Sequence, residues 1–132
     1  MKKISAGLLM YKISEGKNMF FLVHPGGPFF KNKDEGFWSI PKGIIEENEE
    51  PMKTAIREFK EETGLIPEGP YMPLGTIRQK SGKLIYAWAF KCNYHNIPPI
   101  KSNSFEMEWP PRSGKKKSFP EIDKAEFFTA ST

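Results

Sequence analysis

Residues 43–65 read GIIEENEEPMKTAIREFKEETGL, and the second half of that stretch has the period of a helix. At about 100° per residue, Met52, Ala55, Ile56 and Phe59 fall on an arc about 100° wide, the stripe a helix turns toward a core. Asn48 suits a cap, Glu49 and Glu50 suit the positive end of the helix, Pro51 suits its first turn and Gly64 can close it, which predicts a helix over 48–63. Glu58, Glu61 and Glu62 occupy a second arc beside the apolar one. Like charges three and four residues apart repel by about 0.2–0.5 kcal/mol per pair. Carboxylates at the edge of a buried face are also costly to desolvate. A divalent cation removes both costs and is a common reason to gather hard oxygens. Taken alone, the helix reads first as a solvated Glu/Lys face, with Lys53 and Lys60 as neighbours, because charged faces are usually just solvated.

The flanks of the helix read as strands. Ile4 to Tyr11 and Met19 to Val23 are β-rich runs separated by KISEGKN (12–18), a hairpin signal. HPGGPFFKNKDEG (24–36) is a loop by its proline and glycine content. Its residues 32–36 do not make a calcium loop, because the alternating acids and closing glutamate are missing. LGTIRQ (74–79) and KLIYAWAFKCN (83–93) predict a second hairpin around Ser81-Gly82. Pro98-Pro99 and Pro110-Pro111 bracket a short strand, Ser104 to Trp109, in which Glu106 and Glu108 share the solvent face. RSGKKKS (112–118) reads as a basic loop, and Ala125 to Phe128 as a last strand. Strands with one convincing helix predict an α+β domain with a mixed sheet.

The whole composition narrows the classes. With 132 residues, 38% of them hydrophobic and 27% charged, the chain fits one globular domain, 1–132, rather than a disordered segment. A net charge of +4 suits anionic ligands and is too small to imply nucleic acid by itself. Cys92, the one cysteine, rules out an internal disulfide and reads as a buried, inert thiol in a reducing compartment. MKKISAGLLMYK imitates a signal peptide, but the apolar run stops at Lys12 with no cleavage pattern, so it reads as a first strand and the expected location is cytoplasmic. No segment approaches the roughly 18 apolar residues of a membrane span.

The box of residues 43–65 resembles the signature of the Nudix hydrolases: Gly43, Glu49, Arg57, Glu58, Phe59, Glu61, Glu62, Gly64 and Leu65 stand at its defined positions. The resemblance implies a Nudix fold, an α/β/α sandwich around a mixed central sheet with the box on one helix. The closing C-terminal helix would lie outside a chain ending at Thr132. It also implies hydrolysis of a nucleoside diphosphate linked to another group, using Mg²⁺ or Mn²⁺. On the family pattern Glu58, Glu61 and Glu62 bind metal, together with the backbone carbonyl of Lys42. One of the acids takes the proton from water, and Arg57 orients the carboxylates through Glu49. A further glutamate before the last strand often faces the metals. Glu121, in FPEIDKAEFF, stands at the spacing such a residue needs, as metal ligand or proton acceptor, with Glu58 as the rival base.

FWSIPKG (37–43) looks like the dinucleoside polyphosphate and diphosphoinositol polyphosphate branches of the family. Lys42 would set a point charge beside the phosphates. Lys80, Lys83 and Lys115 to Lys117 could add phosphate contacts or be solubilising charges. Trp38 reads as a packing aromatic and His24 as a hydrogen-bonded loop histidine. The tyrosine that the dinucleoside branch uses for base stacking is straddled by Tyr71 and Tyr86, with Lys80-Ser81-Gly82 in its place, and Tyr86 is the candidate substrate contact. A proline there, typical for nucleotide sugars, is also missing. The expected partner is therefore a small nucleotide, a dinucleoside polyphosphate or nucleoside triphosphate. An RNA 5′ end comes second, and a catalytically silent nucleotide-binding module third.

Overall fold

Strands β1 (Ile4–Ser14) and β2 (Lys17–Pro25) pair antiparallel from Tyr11↔Phe20 to Ser14↔Lys17. They run further toward each other than the sequence predicts. Glu15 and Gly16 both have positive φ, 51° and 76°, so two residues close the hairpin with the hand that matches strand twist. The computed structural model describes residues 4–29, 38–79 and 82–129. Around β1 the sheet is mixed. β1 pairs antiparallel with β3 (Lys42–Ile44) and parallel with β5 (Leu84–Lys91), while β4 (Met72–Arg78) and β8 (Ile122–Thr129) take the two edges in the order β4-β5-β1-β2-β8.

Helix α1 (Pro51–Thr63) lies on one face of this sheet. Its Ala55 and Phe59 are fully buried against Ala6, Leu8 and Met10 of β1, Phe21 and Val23 of β2, and Phe90 of β5. The Phe59 ring meets Phe90 edge-on at 5.3 Å and Phe21 at 6.5 Å between centroids. The helix start differs from the sequence expectation. Asn48 is not its cap but sits in a turn with φ 65°, and Glu49 and Glu50 lie outside the helix, with Glu50 at the cap position and extended, ψ 139°. Pro51 explains this, because a residue before proline is pushed out of the helical region. At the other end Gly64 adopts the left-handed conformation, φ 74°, and its N–H bonds the Lys60 carbonyl at 2.8 Å.

A second correction concerns the basic segment. Lys116–Pro120 is strand β7, paired antiparallel with β6 (Ser104–Glu108) in a two-stranded sheet of its own. Phe105 faces Phe119 and Met107 faces Lys117, while Glu106 and Glu108 point to solvent as the alternation predicts. Charge alone suggested a loop there, whereas cross-strand apolar pairing decides the structure. The described residues supply a single helical layer on one face of the sheet, so the second layer of the expected sandwich is not among them.

Phe59→Ala should cost about 3–5 kcal/mol, the range for emptying a fully buried phenylalanine site. The check is chemical denaturation against a surface control such as Lys53→Ala, and equal midpoints for the two variants would contradict the packing described.

Candidate active site

A cavity of about 370 Å³ opens at one end of the sheet, where β2 finishes (Val23, Pro25), β3 begins (Lys42), β4 has ended (Gln79) and β8 is about to start (Glu121, Ile122). Helix α1 contributes Glu62, and the segment before β3 contributes Trp38 and Ser39. Ser39 is fixed there by two backbone hydrogen bonds with Val23, at 2.8 and 3.0 Å. The cavity therefore joins carboxylates, a lysine, an amide and an indole drawn from six places in the chain.

Arg57 organises the acids outside the cavity. Its guanidinium donates from Nε and Nη2 to the two carboxylate oxygens of Glu49, at 2.9 and 3.0 Å, and from Nη1 to Glu58 at 2.8 Å. Glu61 lies 3.3 Å away on the same nitrogen. The fork-to-carboxylate geometry is the strong form of such a pair. The guanidinium beside it pulls the Glu49 carboxyl down to about 2, and the acids in turn raise the Arg57 pKa. The turn at 46–49, closed by the Glu49 N–H on the Glu46 carbonyl, presents Glu49 to the arginine. Gly43 has a steric reason: a Cβ there would overlap the carboxyl group of Glu58.

Glu62 is in the opposite situation. It is 8% exposed, and its carboxylate accepts the Lys42 N–H at 3.3 Å. Burial, and then repulsion from Glu58, push its carboxyl up to about 8, with the Lys42 charge opposing. Burial also raises Glu58, against the pull of Arg57, and raises Glu121, which feels Glu61 as well. Four acids thus repel one another through a partly desolvated space, a situation that a cation relieves. Their hard oxygens fit a divalent ion such as Mg²⁺. Among the described residues no three of them converge tightly enough to hold one ion as they stand, and one Glu58 oxygen is engaged with Arg57.

The remaining expected residues scatter. Glu61 is half-buried beside Arg57 and Lys60 at the helix surface, and its charge still reaches Glu58 and Glu121. Lys83 is exposed, and its carbonyl accepts the Gln79 N–H at 2.8 Å. Lys80 lies outside the described residues, as do 32–36. Tyr86 lines a separate hollow of about 160 Å³ with Pro51, Pro73 and Trp88, apart from the acids. Its position on β5, whose alternate residues face the helix, sends it there. His24 is on a strand rather than in a loop. It is buried, with Nδ1 2.8 Å from the Asp123 carboxylate and its ring against Trp38. Trp38 also meets Phe128 edge-on at 4.9 Å, so it packs and lines the cavity at once. Gln79 was missed by sequence reading. No local pattern marks it, and only the end of β4 brings it to the cavity.

The NUDIX domain family model matches residues 1–130 of the chain. The chain belongs to the Nudix family. This Nudix chain is 34% identical over 76 residues to an RNA pyrophosphohydrolase of Bartonella henselae, covering 51% of its own length and 41% of the relative's. It is 26% identical over 115 residues to Nudix hydrolase 7 of Arabidopsis thaliana, covering 82% of the chain and 39% of that protein. The chain thus spans about two fifths of these curated relatives. Among solved structures, a C. elegans Ap4A hydrolase binary complex superposes with a TM-score of 0.61 at 23% identity, over 93% of this chain and 77% of that one. The NUDIX domain of Shewanella oneidensis NrtR, complexed with ADP ribose, gives 0.64 at 15% identity, over 99% and 75%. These likenesses establish the fold, with its mixed sheet and box helix. Nudix hydrolases generally use divalent metal ions. No helix among the described residues is long and apolar enough to cross a membrane.

Two outcomes follow from this geometry. Because the Glu62 carboxyl sits near 8 when folded against 4.5 as a free side chain, the unfolded chain loses that proton first as pH rises. The stabilising difference is whole below the unfolded value and gone above the folded one. The metal-free protein should therefore lose thermal stability between about pH 4.5 and about 8. Glu62→Gln should flatten that slope, as calorimetry across the range will show; a wild-type slope in the variant contradicts the burial of this charge. Gly43→Ala should displace the Glu58 carboxyl group and cut turnover by roughly 10- to 100-fold, the usual scale for disturbing the support of a site. Steady-state kinetics beside a melting curve check it, and unchanged kcat would show that Glu58 can vacate the space freely.

Proposed function

We propose that the chain hydrolyses a phosphoric anhydride bond in a nucleoside diphosphate linked to another group, with Mg²⁺ or Mn²⁺ held by Glu58, Glu61, Glu62, Glu121 and the Lys42 carbonyl. The observation that carries the reading is the burial of Glu62 beside Glu58 and Glu121, at a cavity that also presents Lys42. A pyrophosphate is highly anionic, and the bound ions supply charge neutralisation and a water of lowered pKa. The chain's own residues do the rest. Lys42 binds a phosphate oxygen, and Arg57 holds Glu49 and aligns Glu58. Glu121 accepts the proton of the attacking water, with Glu58 as the alternative base. Carboxyls raised by burial suit that role, because a base works best with a pKa closer to neutrality.

For the substrate, a dinucleoside polyphosphate or a nucleoside triphosphate is favoured by the Trp-x-x-Pro-Lys-Gly run 38–43 and by a cavity of nucleotide-fragment size. The RNA 5′ end is the second reading, supported by the similarity to the B. henselae enzyme and by Lys115 to Lys117 at and in β7. A silent nucleotide-binding module is the third, and the clustered acids speak against it.

A hydrolysis screen across dinucleoside polyphosphates, nucleoside triphosphates, nucleotide sugars and 5′-triphosphorylated RNA distinguishes the three. Turnover should vanish in excess chelator and return with Mg²⁺ or Mn²⁺. Glu62→Gln should lower kcat on the order of 100-fold or more, as loss of a key electrostatic group does. Full turnover in chelator would sink the metal reading, and binding without any turnover would support the silent module.

A further inference from the structure

We propose that Ser102 is a positioning residue, whose hydroxyl holds Glu121 at the cavity by clamping the main chain of Ile122. The inference rests on the reading that Glu121 acts in the hydrolysis. Regular sheet pairing stops where this acid sits: the β2–β8 register shifts between His24 and Pro25, and Pro25 pairs with Ile122. Another support takes over at that point. The Ser102 Oγ accepts the Ile122 N–H at 3.2 Å and lies 3.2 Å from the Ile122 carbonyl and 3.0 Å from the Asn103 carbonyl, to either of which it can donate.

The backbone on either side of Ser102 ties this clamp to the helix. The Lys101 N–H bonds the Thr63 carbonyl at 2.9 Å, and the Asn103 N–H bonds the Glu61 carbonyl at 2.8 Å. These are carbonyls that the last turn of a helix leaves without internal partners. The Asn103 carbonyl then accepts the Glu121 N–H at 2.8 Å, and the Glu121 carbonyl accepts the Gly26 N–H at 2.8 Å. Residues 101–103 thus measure the distance between the acid-bearing end of α1 and Glu121. In that strap, Ser102 supplies the side-chain bonds to the Glu121–Ile122 segment. Removing the hydroxyl frees Ile122 and lets the neighbouring carboxylate wander, while the backbone bonds keep the strap in place. A loosened support of this kind costs turnover rather than substrate affinity.

The test is a double-mutant cycle on the full chain, with diadenosine tetraphosphate, ATP and 5′-triphosphorylated RNA as probes, joined by Mn²⁺ binding followed by EPR and by melting curves. Ser102→Ala should lower kcat about 10-fold with KM within about twofold, and should weaken Mn²⁺ binding. Ser102→Thr, which keeps the hydroxyl, should restore most of the loss. In a Glu121→Gln background Ser102→Ala should cost nothing more, since it acts through that acid. Should Ser102→Ala not fold, Ser102→Cys carries the same comparison. Wild-type kcat in Ser102→Ala, or a full additional loss in the double variant, overturns the inference alone. Wild-type kcat and Mn²⁺ binding in Glu121→Gln overturn the role of Glu121 and this inference with it.

Discussion

Phe59 and Glu62 stand three residues apart on one helix, and that spacing sets the character of the site. The rotation of α1 that inserts Phe59 between Phe21 and Phe90 turns Glu62 inward as well. A carboxylate is carried into a desolvated place because an aromatic one turn away must be there. The hydrophobic term for a phenylalanine, about 1.5–3 kcal/mol, anchors the helix, and the acid rides with it. Everything else in the site compensates for that charge or makes use of it.

The box separates its carboxylates by environment. Glu49 and Glu62 belong to the same short sequence, yet one lies near 2 in the grip of Arg57 and the other near 8 in the protein interior. The same side chain thus stays charged where a guanidinium faces it and holds its proton more tightly where solvent is removed. Arg57 serves both by leaving Glu49 permanently charged and by drawing Glu58 toward the helix edge, where Gly43 leaves room for it.

Much of this was legible in residues 43–65, because helical period and fixed spacing are local properties. The paired hairpins were legible for the same reason, as was the position of Glu121 just before the last strand, where it lines the cavity. Asn48 misled because its intrinsic preference as a cap was outweighed by the restriction that Pro51 places on Glu50. The lysines at 115–117 misled because charge gave no hint that Phe105 and Phe119 would face each other across a ladder. Tyr86, Gln79 and Ser102 could not be placed at all from sequence. Their placement depends on contacts with distant segments, Tyr86 with Pro51, Gln79 with Glu62 and Glu121, and Ser102 with Ile122, and only sheet order decides which end of which strand meets the cavity.

The hairpin of β6 and β7 leaves the fold and returns to it across a base closed by the hydrogen bond between the Asn103 carbonyl and the Glu121 N–H and by the Ser102 hydroxyl on Ile122. Its two feet are fastened to the helix end and to Gly26, whereas its tip at 110–114 is exposed. Length or charge added at that tip therefore leaves the feet unmoved. The hairpin is a place where such a chain can acquire a new appendage, with a different reach or a different preference for what lies beyond the phosphates, without readjusting the acids on which cleavage would depend.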